Sequence, residues 1–133
     1  MRPDTYVYPA IFAYDENGIH VTFPDLPGCF AFGENEPAAI RQARNGLSLH
    51  LYGMERDGDE IPAPTSGSSV QVSSGETVAF VDVFMPPIRA RQEGKYVKKT
   101  LTIPEWLDIQ AKHHDINFSQ VLQDALRAQL GML

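Results

Sequence analysis

The apolar positions change their period several times along the 133 residues, and each change marks an element. From Tyr6 to Tyr14, YVYPAIFAY is rich in aromatic and branched residues and reads as a strand. IHVTF, Ile19 to Phe23, is its hairpin partner across the turn Asp15-Glu16-Asn17-Gly18, where glycine supplies a positive φ. After the two-proline loop Pro24 to Gly28, Cys29 to Phe32 gives a short third strand that ends at Gly33. Asn35 can cap a helix with Glu36 and Pro37 in its first turn. Ile40, Ala43, Leu47, Leu51 and Met54 then fall on one face, a stripe expected to pack on the sheet. That helix stops near Arg56 in an acidic turn, and IPAPTSGSS is an irregular connector. Thr77 to Phe84, TVAFVDVF, is nearly continuous in apolar residues, which predicts a buried strand that Met85-Pro86-Pro87 ends.

From Lys95 onward the pattern is different. Between about Tyr96 and Ile103, Val97, Leu101 and Ile103 point one way and Lys98, Thr100 and Thr102 the other, as in a short strand. Lys99 interrupts the apolar side. Pro104 ends the strand and opens a helix over EWLDIQAKHH, with Leu107 and Ala111 on one face. Asn117 with Gln120 is a capping-box pattern, and Ile116 and Val121 stand where a hydrophobic staple would place them. Phe118, Val121, Leu122, Ala125, Leu126 and Leu130 recur at helical spacing. One strand and two helices are too few to bury their own apolar face, so this segment is expected to be half of a homodimer. A Lys-Thr-Thr face on a strand that pairs across a two-fold suits a two-stranded ribbon in the DNA major groove. It also suits an ordinary solvated strand face in a dimerisation module that binds no nucleic acid.

Charge sharpens this division. The net charge of −6 is wrong for a nucleic-acid binder, but residues 1–88 carry four basic and twelve acidic side chains, and residues 89–133 seven basic and five acidic. The basic excess sits in Arg89, Arg91, Lys95, Lys98 and Lys99. Two domains are therefore expected, 1–88 and 95–133, with the polar segment 89–94 as linker. An apolar fraction of 43% suits a globular protein. No run approaches the roughly 18 apolar residues of a membrane span. The start MRPDTYVYPA lacks the apolar region of a signal peptide, so a cytoplasmic protein with no membrane partner is expected.

TLTIPEWL with NFSQVLQDAL resembles the ribbon-helix-helix family along the whole of 95–133. The resemblance implies that Lys98, Thr100 and Thr102 face the bases of operator DNA. It also implies that the helix start at Asn117, Phe118 and Ser119 grips a phosphate with backbone N–H groups. The preceding run resembles the N-terminal domain of HicB antitoxins, on Tyr8-Pro9-Ala10, the Phe23-Pro24-Asp25-Leu26-Pro27-Gly28-Cys29 loop, Gly33 and Ile61-Pro62-Ala63-Pro64. That resemblance implies an α+β chain: a β-β-β-α-β partial ribonuclease-H-like domain followed by the β-α-α ribbon-helix-helix domain. It further implies a partner, a HicA-like RNA-cleaving toxin that the chain neutralises, and repression of its own operon. Sheet association of the N-terminal domains could extend the homodimer to a tetramer. From charge alone, Asp25, Asp57, Asp59 and Glu60 are the candidate toxin contacts.

Candidates for catalysis are sparse. Ribonuclease-H chemistry needs several carboxylates converging on two metals. Asp82 and Asp25 are the strand and loop candidates, and Asp82 reads as an edge-facing or hydrogen-bonded carboxylate. His20, His50, His113 and His114 lack ligand spacing, and the single cysteine, Cys29, reads as a small hydrophobe. Trp106 reads as a packing residue at a helix start. No metal, no cofactor and no enzymatic activity are expected. A different class of function, a stand-alone ribbon-helix-helix repressor with a ligand-sensing N-terminal domain, would instead need a pocket of convergent polar groups.

Overall fold

The computed structural model describes residues 2–132; Met1 and Leu133, the outer limits of the two expected domains, lie outside the described residues. The chain divides into two compact units, Met1–Lys95 and Tyr96–Leu133.

In the first unit the order is β-β-β-α-β, as expected, with a further helix after it. Strands β1 (Thr5–Asp15), β2 (Gly18–Thr22), β3 (Phe30–Gly33) and β4 (Glu76–Phe84) form an antiparallel sheet in the order β3-β2-β1-β4. The β1–β2 turn is closed by the Asp15 carboxylate, which accepts the N–H of Asn17 at 2.7 Å and of Gly18 at 3.1 Å. Gly18 has φ +146°, and a Cβ there would meet the Gly33 carbonyl and the Phe32 ring of β3. The turn thus requires glycine for space as well as for conformation.

Register places Tyr8, Ala10 and Phe12 beside Ile19, Val21, Val81 and Val83 on one face, all buried. Helix α1 (Glu36–Asp57), capped by Asn35 on the Ala38 N–H, covers that face with Ala39, Ala43, Leu47 and Leu51. Ile40, expected in this stripe, is 43% exposed. The helix starts so close to the sheet that a Cβ on Gly33 would collide with the Ala39 backbone, so the small residue turns inward in place of the large one. Cys29 is buried in this core, and burial pushes its thiol up to about 11.

Strand β4 differs from expectation. It is an edge strand, with Val81 and Val83 in the core and Phe80 (62% exposed) and Phe84 (59%) on the far face. Its apolar run reflects two apolar faces of which the helix covers one. At its edge Arg44 of α1 donates to the Asp82 carbonyl at 3.0 Å and to the Asp82 carboxylate at 2.9 Å.

The chain then runs straight into helix α2 (Met85–Gln92), with Pro86 and Pro87 in a first turn whose N–H groups have no intrahelical acceptor. Residues 89–92, placed in a linker by the sequence reading, are thus helical. Arg89 explains why: it makes a bidentate pair with Glu55 at 3.0 and 2.8 Å and donates to the Pro3 carbonyl at 2.7 Å. The Glu55 side chain is 2% exposed and that of Arg89 15%. Tyr6 donates its hydroxyl to the same carboxylate at 2.7 Å. The guanidinium holds Glu55 below the ordinary carboxyl value, whereas burial and the Glu55 hydrogen bond push Tyr6 up to about 12.

The second unit holds helices α3 (Glu105–His113) and α4 (Phe118–Gln129). Between them the chain reverses through a left-handed Asp115 (φ +54°), with Asp115 N–H bonded to Lys112 O and Ile116 N–H to Ala111 O. This is a Schellman closure with aspartate in the usual glycine position. The strand expected over 96–103 is not formed: residues 95–104 carry no regular secondary structure. A strand exists only by pairing, and a lone ribbon strand has no neighbour inside its own unit. Asn117 caps α4 by accepting the Gln120 N–H at 3.0 Å, but Gln120 bonds Asp124 and not back to Asn117, so half of the expected capping box forms. None of this unit's described residues is buried, and Trp106, expected to pack, is 66% exposed.

Replacing Arg89 with alanine strands a buried carboxylate and should cost about 3–5 kcal/mol in urea unfolding, with Glu55→Leu/Arg89→Met recovering most of it. Glu55 contributes stability above its ordinary value of 4.5, lost as the pH falls through its lower folded value. Tyr6 contributes below 10, and that part is lost as the pH rises from 10 to about 12. Unfolding midpoints across both windows check the two signs. Cys29 should resist Ellman's reagent at pH 8 in the folded protein and react on unfolding in urea.

Candidate functional site

The residues proposed from sequence to meet DNA all lie in the second unit. Lys98, Thr100 and Thr102 are exposed on the irregular segment before Pro104. Asn117 uses its side chain to cap α4, leaving the first-turn N–H groups of Phe118 and Ser119 without an intrahelical acceptor. Ser119 Oγ accepts from Gln123 at 3.1 Å. The basic excess ahead of residues 96–103 is partly neutralised. Arg89 is held by Glu55, and Lys95 by Glu93 at 2.8 Å. Lys98 and Lys99 form no ion pair among the described residues.

The acidic candidates of the first unit separate into two groups. Helix α1 ends at Asp57, where Gly58 (φ +74°) donates to the Glu55 carbonyl and Asp59 donates to that of Met54. Asp57 and Asp59 are exposed on this turn, and Asp57 accepts from Arg56 at 3.3 Å. Asp25 and Glu60 instead border one cleft. The proline loop that carries Asp25 is pinned by buried Leu26 and Cys29, with Leu26 N–H bonded to Phe23 O and Cys29 N–H to Leu26 O. Across from it, Tyr8 donates to the Pro62 carbonyl, and Thr65 donates both its N–H and its hydroxyl to the Asp25 carboxylate. Burial, with the Asp25 charge, raises the Tyr8 phenol, so it stays a neutral donor.

Between these walls is a cleft of about 370 Å³. Its apolar lining is Leu26, Pro27, Met54 and Pro62, and its polar groups are Asp25, His50 and Glu60. Sequence reasoning missed His50 and Met54. Met54 reads as part of the α1 stripe that packs on the sheet, and the signal for its place in the cleft is its one-turn spacing from His50, which sets the two side by side on α1.

Catalytic candidates do not converge. Asp82 is engaged by Arg44 and Asp25 by Thr65, and His113 and His114 stack edge-on at 5.6 Å. Among the described residues no three His, Cys, Asp or Glu side chains gather as metal ligands. No helix among them is long and apolar enough to cross a membrane.

The sequence model of a family described as "HicB_like antitoxin of bacterial toxin-antitoxin system" matches residues 8–126. A 14.9 kDa protein from the rep-hol intergenic region of Haemophilus phage HP1 is 28% identical over 101 residues, 76% of this chain and 75% of that protein. Antitoxin HicB 2 of Photorhabdus laumondii is 31% identical over 72 residues, 54% of this chain and 52% of its own length. A chain of a solved toxin-antitoxin complex from Streptococcus pneumoniae is similar in fold, with a TM-score of 0.60 and 27% identity, over 94% of this chain and 99% of that one.

Because Asp25 carries the bonds that fasten Thr65, Asp25→Ala should cost about 1–2 kcal/mol of stability. Glu60→Gln, at an exposed position without a hydrogen-bond partner among the described residues, should stay within about 0.5 kcal/mol of the unsubstituted chain. Denaturant titrations of both variants measure the contrast.

Proposed function

Because the chain belongs to the HicB-like antitoxins of bacterial toxin-antitoxin systems, we propose that it binds and neutralises a HicA-like, mRNA-cleaving toxin and represses its own operon. Family and fold point to a regulatory protein without catalysis of its own. In this reading the first unit is the toxin-binding, partial ribonuclease-H-like domain. It covers the basic surface of the toxin by complementary charge around an apolar centre. The second unit is a ribbon-helix-helix domain that pairs with a second copy.

One observation carries the division of labour. Val97, Leu101, Ile103, Val121, Leu126 and Leu130 are all exposed, in a unit whose described residues include no buried one. Such an amphipathic unit acquires a core only by pairing. On pairing, residues 96–103 become the two-stranded ribbon, with Lys98, Thr100 and Thr102 on the face toward the major groove. The free N–H groups at Phe118 and Ser119, beyond the Asn117 cap, then meet a DNA phosphate. The same logic assigns 1–88 to the toxin and 95–133 to dimer and operator. The uncovered sheet face around Phe80 and Phe84 is the surface on which two dimers would meet as a tetramer.

The decisive experiment is co-expression with the product of the adjacent gene, followed by RNA cleavage by that product with and without this chain. A retained complex in which cleavage disappears is expected. No complex and undiminished cleavage would shift the function to a stand-alone repressor that senses a ligand in the Asp25–His50–Glu60 cleft. On operator DNA, Lys98→Ala should weaken binding and reduce the salt slope by about 1. Thr100→Ala and Thr102→Ala should relax sequence preference, and unchanged binding in all three would remove the ribbon assignment.

A further inference from the structure

Every charged side chain that rings the cleft between the proline loop and the second half of α1 is a carboxylate, whereas its lining is apolar. Asp25 is already oriented, because both its oxygens accept from Thr65. Glu60 is exposed and has no hydrogen-bond partner among the described residues. Leu26 is buried in the core, and Met54 is partly buried with a flexible, polarisable side chain of the kind that adapts to what lies on it. A long aliphatic stem ending in a cation matches this layout: methylenes on Met54, Pro27 and Pro62, and a charged head between Asp25 and Glu60. An anion would be repelled by both carboxylates. A purely apolar group would strip water from them without compensation.

We propose that this cleft is the anchoring site for a single lysine or arginine side chain of the basic protein partner. It rests on the antitoxin reading for the partner and on the cleft alone for the chemistry. His50 lines the same cleft, and a volume of about 370 Å³ suits one side chain and not a helix or strand. The acidic turn at Asp57 and Asp59 lies outside the cleft lining and contributes only long-range attraction, which governs the rate of encounter more than the lifetime of the complex.

Two measurements on the full chain test this. In the first, N-acetyl-arginine amide and N-acetyl-lysine amide are titrated while the Met54 methyl and His50 ring resonances are followed, with the citrulline analogue as uncharged control. Saturable shifts with a cationic probe, absent with citrulline and lost in Glu60→Gln, are expected. No shift, or equal shifts with citrulline, would overturn the proposal. In the second, affinity for the purified adjacent-gene product is compared among variants. Glu60→Gln should weaken it at least about tenfold through faster dissociation, and Asp59→Asn less than about threefold. If the unsubstituted chain binds and inhibits that product but Glu60→Gln binds equally well, the anchoring site is wrong and the antitoxin reading stands. If a cationic probe fills the cleft but no partner binds, the antitoxin reading fails and the cation-selective cleft stands.

Discussion

The first unit depends on one buried carboxylate having found its guanidinium. Glu55 lies near the C-terminal end of α1, where the helix dipole disfavours a negative charge, and its side chain is almost fully withdrawn from water. Both penalties are offset because Arg89 meets it with two parallel bonds and Tyr6 adds a third. The consequence is connectivity. A single carboxylate joins β1, α1 and α2, and its partner Arg89, by donating to the Pro3 carbonyl, also secures the chain ahead of β1. These segments are far apart in sequence and have no disulfide among them, so the clasp performs the task that a covalent staple performs in small secreted domains.

With α1 and its exit tied in this way, the backbone on both sides of the cleft is anchored to the sheet. Met54 precedes Glu55 by one residue, and Pro62 is tied to Tyr8, two residues along β1 from Tyr6. The groups that hold the fold and the groups offered to a partner are therefore neighbours in sequence with different tasks. Glu55 is saturated with bonds and buried, whereas Glu60 is exposed and has no hydrogen-bond partner among the described residues. Acidity alone does not separate them; the availability of a cation within the same unit does.

Much of this was legible in the sequence. The four strands and α1 fall within a residue or two of the apolar patterns, because hairpin turns and an asparagine cap are local signals that no distant contact overrides. The misses have distant causes. Ile40 is displaced by Ala39 because of how closely Gly33 approaches, a fact about the sheet and not about the helix. The apolar run of β4 could not reveal that only one of its faces is covered. Arg89 reads as one more cation in a basic stretch, and only the fold supplies Glu55 as its partner, 34 residues away. The four acidic candidates look alike in the sequence, and which two of them share a cleft depends on the proline loop folding back on the exit of α1.

The Arg44–Asp82 contact at the edge of β4 has a consequence for the life of the folded chain. A strand edge with phenylalanines at alternate positions is a template on which another unfolded chain can add. Here one edge carbonyl is already taken, and a guanidinium with its counter-charge stands across the path of an incoming strand. At the opposite edge β3 offers only four residues, too short to template a fibril. The sheet can therefore leave an apolar face open without its edges becoming seeds for amyloid-like growth in a crowded cell.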